Sequence, residues 1–492
     1  VKLEKLGKPG VFIPCDTFGD AAKSASEDNA MPMVRLRSIS SAEFYRLRGS
    51  VNEVRPLVEK AFDALIDALI SPLTKEESNP PKQKKETAES MPVTVTAESY
   101  PAAVEEFNQV FLDRLWGDGL PLVPPTPERI KWMLTGTNRS PQEIIGKVSP
   151  KQGIATIEKI AINAVMAGAK PEYLPVIIAA MEALTNERYD DRHVLLSAGS
   201  FILLIVVSGP IAKEIKMGYG IGFLGHGWRA NNTIGRAIRL ATINIGHIWP
   251  GLNDMGLTGR ISPHTFFTIA ENVELSPWEP YHAGRGFKAN DSCVTVASIG
   301  GSGPTQNFYG GMIGTWNAKD ILDRIVEDIL RSDRRGFPMW GSKGVGAIPG
   351  SGGGSNNHYI ILFPALVSEF KKMGYNQQGL QEEIYQRASI RYEELSPADI
   401  KGIQGAIEMG VIPTDRKAVF EAALKPGGKA PVMVSPENVH LFVTGGAPGC
   451  AFSFSYMRIP PYNYTAVMTR LITGATLTKA GTTDIKKVPY GA

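Results

Sequence analysis

Cysteine is scarce. Only Cys15, Cys293 and Cys450 occur in 492 residues, and no two form a Cys-x-x-Cys pair. This excludes a disulfide framework and suits a reducing cytoplasm. Long hydrophobic runs are also missing. The longest purely apolar stretch, residues 201–207, is far shorter than the ~20 residues that cross a bilayer. Neither a membrane-spanning helix nor a signal peptide is expected. Charge of one sign is not in excess: Lys and Arg number 52 against 49 Asp and Glu, a net charge of +3. Nucleic acid, which is bound by strongly basic faces, is therefore not an expected partner. P-loop, HExxH, zinc-finger and Ser-His-Asp motifs are absent, and no internal repeat is evident. What remains is 43% hydrophobic and 21% charged. That is the composition of a globular α/β or α+β chain, and its length suits roughly two to four domains.

Residues 1–73 read as strand, helix, strand, helix. Gly10-Val-Phe-Ile-Pro-Cys15 is a short apolar run, and Asp16 can cap a helix after it. Residues 33–39 alternate as a strand does. Between positions 51 and 70, Val54, Leu57, Val58, Ala61, Phe62, Leu65 and Leu69 recur at helical spacing. Such a βαβα unit is half of a doubly wound domain. Two strands cannot cover their own faces and edges, so another polypeptide, a removed N-terminal segment or the later domain is expected to complete the sheet. The first residue is Val1 rather than Met, which fits a processed terminus or a start further upstream. Residues 74–99 have a Pro-Pro, mixed charge and one aromatic-free stretch throughout, and read as a flexible linker. Residues 100–492 read as a large α+β or mixed α/β domain. Helices are expected near 102–115, 154–167, 173–184, 233–245 and 318–331, and strands near 200–207, 266–269, 293–298, 359–363, 431–434 and 440–443.

Glycine is abundant, at 51 residues, and gathers in loops at 218–227, 300–303, 341–354 and 445–449. Glycine lets backbone N–H groups approach a ligand, so these loops are candidate walls of one pocket. Gly220, Gly222 and Gly225 form a G-x-G-x-x-G, but helix-like sequence precedes it instead of a strand, so NAD(P) is not expected. The loop runs into a helix that Asn231 or Asn232 can cap. Gly225, Arg229, Asn231, Asn232 and Arg236, with Lys343 and Gly446 from later glycine loops, are candidate ligands for an anionic small molecule. His226, His247 and His264 are candidate ligands for a divalent metal. The segment 270–282 is rich in acids, aromatics and prolines. Its Glu271 and Glu279, with His282, are candidate general acid/base groups. Cys15 lies at the carboxyl end of the first strand, where doubly wound folds place reactive groups.

Gly7-Lys-Pro-Gly-Val-Phe-Ile-Pro-Cys-Asp-Thr-Phe18, Ala21-Ala22, Ala30-Met-Pro-Met-Val34 and the long helix to Pro72-Leu73 resemble the C-terminal half of UGSC-like domains. That family is named for a selenocysteine- or cysteine-Gly-Ser-Cys motif, which this chain lacks. Gly119-Leu-Pro-Leu-Val-Pro-Pro-Thr-Pro-Glu-Arg129, Ala161-Ile-Asn-Ala-Val-Met-Ala-Gly168, Arg229-Ala-Asn-Asn-Thr-Ile-Gly-Arg236 and Ser276-Pro-Trp-Glu-Pro280 are similar to a bacterial family found with UGSC-like proteins. The resemblance implies a heteromeric, thiol- or selenol-dependent oxidoreductase or lyase whose Cys/Sec pair lies on a companion chain or on a missing segment. A metal-dependent hydrolase or lyase built on the histidines, and a non-catalytic binding subunit, are the two alternative expectations.

Overall fold

A computed structural model describes residues 10–28, 31, 33–40, 42, 51–79, 92–197, 200–256, 259–260, 262–306, 317–335, 356–408, 410, 412–445, 450–457 and 467–476. The chain is mixed α/β, as expected. The N-terminal unit has the anticipated order: β1 (Val11–Phe12), the helix Gly19–Asp28, β2 (Arg35–Leu36) and the helix Val51–Ile70. β1 and β2 run parallel, and a bridge between Cys15 and Ile39 extends the pairing.

The start of the supposed linker is structured. Thr74 caps a short helix, Lys75–Ser78, in a reciprocal capping box with Glu77. The Arg35 guanidinium donates to the carbonyls of Ala68, Ser71 and Pro72 at the end of the long helix, and to Glu77 at 2.7 and 2.8 Å. One arginine thus caps the helix and fastens the following turn to β2. Its hydrogen bond, with that from Thr74 N–H, holds the Glu77 carboxyl down at about 2. At the other end of the linker, Val95 packs against the core of the large domain.

In the large region, β3 (Ile144–Val148) and β4 (Gly153–Thr156) form an antiparallel hairpin. Thr156 then caps the helix Ile157–Met166, its hydroxyl accepting from Lys159 N–H. The helix expected from 154 therefore starts later, because 153–156 is a strand. β5 (Ile202–Ser208), β6 (Phe267–Ala270) and β7 (Cys293–Ile299) build one sheet. β5 and β7 are buried along their whole length, as continuous apolar runs require. β8 (Gly301–Gln306) and β9 (Asn356–Leu362) begin the second sheet. β10 (Ser389–Arg391) and β11 (Lys429–Pro431) make a small antiparallel pair, so the strand expected at 431–434 lies two residues earlier. β12 (Val439–Val443) and β13 (Cys450–Met457) join the second sheet, and β14 (Val467–Leu471) returns to the first.

The two sheets follow one plan, which the sequence reading missed. The first has the order β6-β5-β7-β14 and the second β12-β9-β13-β8. In each, the first pair is parallel and the next two are antiparallel. The registers match as well. Val207 of β5 is opposite Ala270 and Val294, while Leu362 of β9 is opposite Val443 and one residue beyond the Ile361–Phe452 pair. Beyond each parallel edge strand one more N–H continues the ladder, Glu271 to Val207 O and Thr444 to Leu362 O, both at 2.9 Å. The fourth strands are exchanged: β7 passes through Gly300 into β8 of the other sheet, and β14 comes back from β13. The tetrapeptide Lys-Met-Gly-Tyr recurs at 216–219 and 372–375, where the helix leaving each central strand ends.

Side-chain alternation stacks these layers. Tyr359, Ile361 and Phe442 enter the same core as β5 and β7. Their neighbours Ile360, Leu362, Leu441 and Val443 enter a second core with the helices Ala318–Arg335, Pro364–Lys372 and Gln377–Arg387. The second sheet thus has one core on each face. Gly209, just past β5, has φ +94°, and a Cβ there would lie 2.1 Å from the Asp291 carbonyl oxygen. Gly209→Ala is expected to cost about 2 kcal/mol or more and to lower the thermal unfolding midpoint measured by calorimetry. An unchanged midpoint would contradict this close approach.

Candidate functional site

The first residue after β6 is Glu271, and its side chain is 4% exposed. Its N–H belongs to the ladder, so the carboxyl is held where the strands end. The Ser208 hydroxyl donates to Oε2, and Tyr281 N–H donates to Oε2 at 3.1 Å and Oε1 at 3.3 Å. Burial outweighs these donors and raises the pKa to about 7. Such a group can accept or release a proton near neutral pH.

Tyr281 carries the network across to the second sheet. Its hydroxyl donates to His440 Nδ1 at 2.9 Å, and Arg285 Nη2 donates to the same nitrogen at 3.0 Å. A guanidinium only donates, so Nδ1 is the unprotonated nitrogen and Nε2–H donates to Asn357 Oδ1 at 3.0 Å. Burial, then the positive charge of Arg285 and the neighbouring His358, hold the His440 pKa well below its ordinary value. His440 stacks on Tyr359, with ring centroids 4.8 Å apart. The Arg285 guanidinium lies over the Tyr281 ring at 4.7 Å. Burial pushes the Tyr281 hydroxyl up to about 12, so it remains a donor at neutral pH.

Tyr281 and Arg285 open onto a cleft of about 890 Å³. One wall is the loop after β6, with Trp278 and Glu279. The other is the end of the helix Pro364–Lys372, the start of Gln377–Arg387, and Glu437. Trp278 Nε1 donates to Tyr375 O, and Lys371 Nζ donates to Pro277 O, so the two walls are tied together.

The other candidate residues are dispersed. Glu279 is exposed in the cleft. His282 is fully buried and its Nε2 donates to Lys288 O, so it closes the following turn and does not line the cleft. Burial lowers its pKa. Cys15 is half-buried in the N-terminal unit, and its carbonyl accepts from Phe18 N–H. The helix after the first glycine loop is Arg229–Asn244, with Trp228 at the cap position where Asn231 or Asn232 was expected. Gly225 N–H closes a turn on Gly222 O. Arg229 donates twice to Gly168 O. Asn231 is buried and spans Gly218 N–H, Gly218 O and Thr268 O. Asn232 bonds Trp228 O. Arg236 is committed to Asp118 at 2.7 and 2.9 Å and to two carbonyls. These side chains brace the loop and helix, which corrects the expectation of an anion grip there. The first and last glycine loops do meet, through Gly445 N–H to Tyr219 O at 2.9 Å. Lys343 and Gly446 lie outside the described residues.

The histidines do not converge on a metal position. His226 is exposed on the glycine loop, His247 has its ring edge-on to Trp249, and His264 Nδ1 bonds Asp118 O. Among the described residues no group of three His, Cys, Asp or Glu side chains could hold a metal ion. The sequence reading missed Ser208, Tyr281, Arg285 and His440. His440 carried one signal: an imidazole at the head of the apolar run His440-Leu-Phe-Val443 requires a buried partner.

No family model, curated protein or solved structure matches the chain.

With a folded pKa near 7 against an ordinary value of 4.5, Glu271 adds stability that is complete below about pH 4.5 and lost as pH rises through 7. The loss approaches about 3 kcal/mol in the alkaline limit. Glu271→Gln is expected to flatten this fall when denaturation midpoints are compared at pH 5 and pH 8. An equal fall in both proteins would contradict the assignment.

Proposed function

We propose that the chain is one component of a thiol- or selenol-dependent enzyme of the UGSC-like kind, acting on a small anionic molecule by redox chemistry or carbon–heteroatom bond cleavage. A companion polypeptide, docked on the N-terminal unit, carries the Cys/Sec pair. The observation that carries this reading is the unfinished state of that unit among the described residues. It has a two-stranded parallel sheet, with Phe12 53% and Ile13 46% exposed beside it. The helix Val51–Ile70 exposes Val58, Phe62, Ile66, Leu69 and Ile70, a stripe at helical spacing. Parallel sheets are ordinarily covered on both faces, and an apolar stripe of this kind marks an interaction surface.

Within this reading the cleft receives the substrate. Arg285, already oriented by His440 and Tyr281, holds the anionic group, and Glu271 positions the loop that carries both Tyr281 and Arg285. Cys15, which follows β1, is the thiol that this chain contributes beside the companion's pair. The metal-dependent alternative has no ligand group behind it among the described residues. No helix among them is long and apolar enough to cross a membrane.

Native mass spectrometry of the assembly from its own cells is expected to show a second polypeptide with a Cys- or Sec-Gly-Ser-Cys motif. Phe62→Glu is expected to release it, and alkylating its thiols to abolish turnover. A fully active single species, or turnover indifferent to alkylation, would defeat the proposal.

A further inference from the structure

We infer that the cleft between the loop after β6 and the helix Gln377–Arg387 takes a zwitterion, a small molecule with a carboxylate at one end and an ammonium-type cation at the other. This rests on the cleft being the substrate site and narrows its ligand from any anion to a doubly charged one.

Unpaired charges of both signs line the cleft. Arg285 makes no ion pair among the described residues. Its contacts are the neutral His440 and the Tyr281 ring, which fix its plane without neutralising it. Lys371 bonds only a carbonyl there, Pro277 O at 3.2 Å. Glu279 and Glu437 are exposed on the same surface and form no ion pair among the described residues. By contrast Arg416 and Glu382, also in the lining, satisfy each other at 3.1 Å. A cleft built for a bare anion would gain nothing from the free acids, since like charges repel. A zwitterion uses both sets. Its carboxylate meets a pre-oriented fork of N–H donors, which loses little side-chain entropy on binding. Its cation meets Glu279, with Trp278 and Tyr375 beside it in the lining.

Isothermal titration calorimetry on the full chain decides the matter, with ω-amino acids from glycine to 6-aminohexanoate as probes and butyrate and butylamine as single-charge controls. At least one amino acid is expected to bind about tenfold or more tightly than either control. Arg285→Gln and the surface change Glu279→Gln are each expected to weaken it about tenfold or more, as loss of a charged hydrogen bond does. Lys213→Gln, outside the cleft, is expected to leave it unchanged. Butyrate binding as tightly as the amino acids, and failing in Arg285→Gln, would overturn the zwitterion while the anionic reading survives. Absence of any Arg285-dependent binding would overturn both.

Discussion

Removing the Glu271 carboxyl from water is the constraint on which the site depends. The Ser208 hydroxyl, the Tyr281 N–H and the Val443 backbone oppose the desolvation of the charge and do not cancel it. The loop after β6 must fold back to bring Tyr281 N–H to that carboxyl. The return fixes the Tyr281 ring, and the ring fixes Arg285 by stacking and by their shared contact with His440. A buried acid at the end of one sheet thus orients a guanidinium at the mouth of a cleft whose far wall is formed by helices packed on the other sheet.

The repeated sheet plan explains why the cleft lies where it does. Each half has a central strand, a helix ending at Lys-Met-Gly-Tyr, and a loop after the parallel edge strand. The loop of one half meets the tyrosine carbonyl of the other: Gly445 N–H and the Thr444 hydroxyl reach Tyr219 O, and Trp278 Nε1 reaches Tyr375 O. The exchanged strands β8 and β14 bind the halves into one body, so a ligand in the cleft touches both. The N-terminal unit is organised differently, around Arg35, and leaves its apolar helix stripe uncovered among the described residues.

Local pattern made much of this legible. The apolar run of β5, the amphipathic helix at 51–70 and the βαβα order are local properties that periodicity reports. The helix start near 154 was misplaced because Gly153 and Thr156 belong to a hairpin that apolar spacing does not reveal. The doubled plan escaped because pairing register, a long-range quantity, carries it; only the repeated Lys-Met-Gly-Tyr hinted at it. Glu271 and Glu279 could be found as acids in a proline-rich loop. Arg236 misled because its partner, Asp118, is 118 residues away. Tyr281, Arg285 and His440 were invisible as a set for the same reason, since His440 reaches them only through β12.

The most direct measurement is a ¹³C titration of the Glu271 carboxyl in the folded protein. Its inflection is expected near pH 7, with burial as the cause. An inflection at the ordinary carboxylate value near 4.5 would mean that the carboxyl is solvated and that the Tyr281 loop does not close over it.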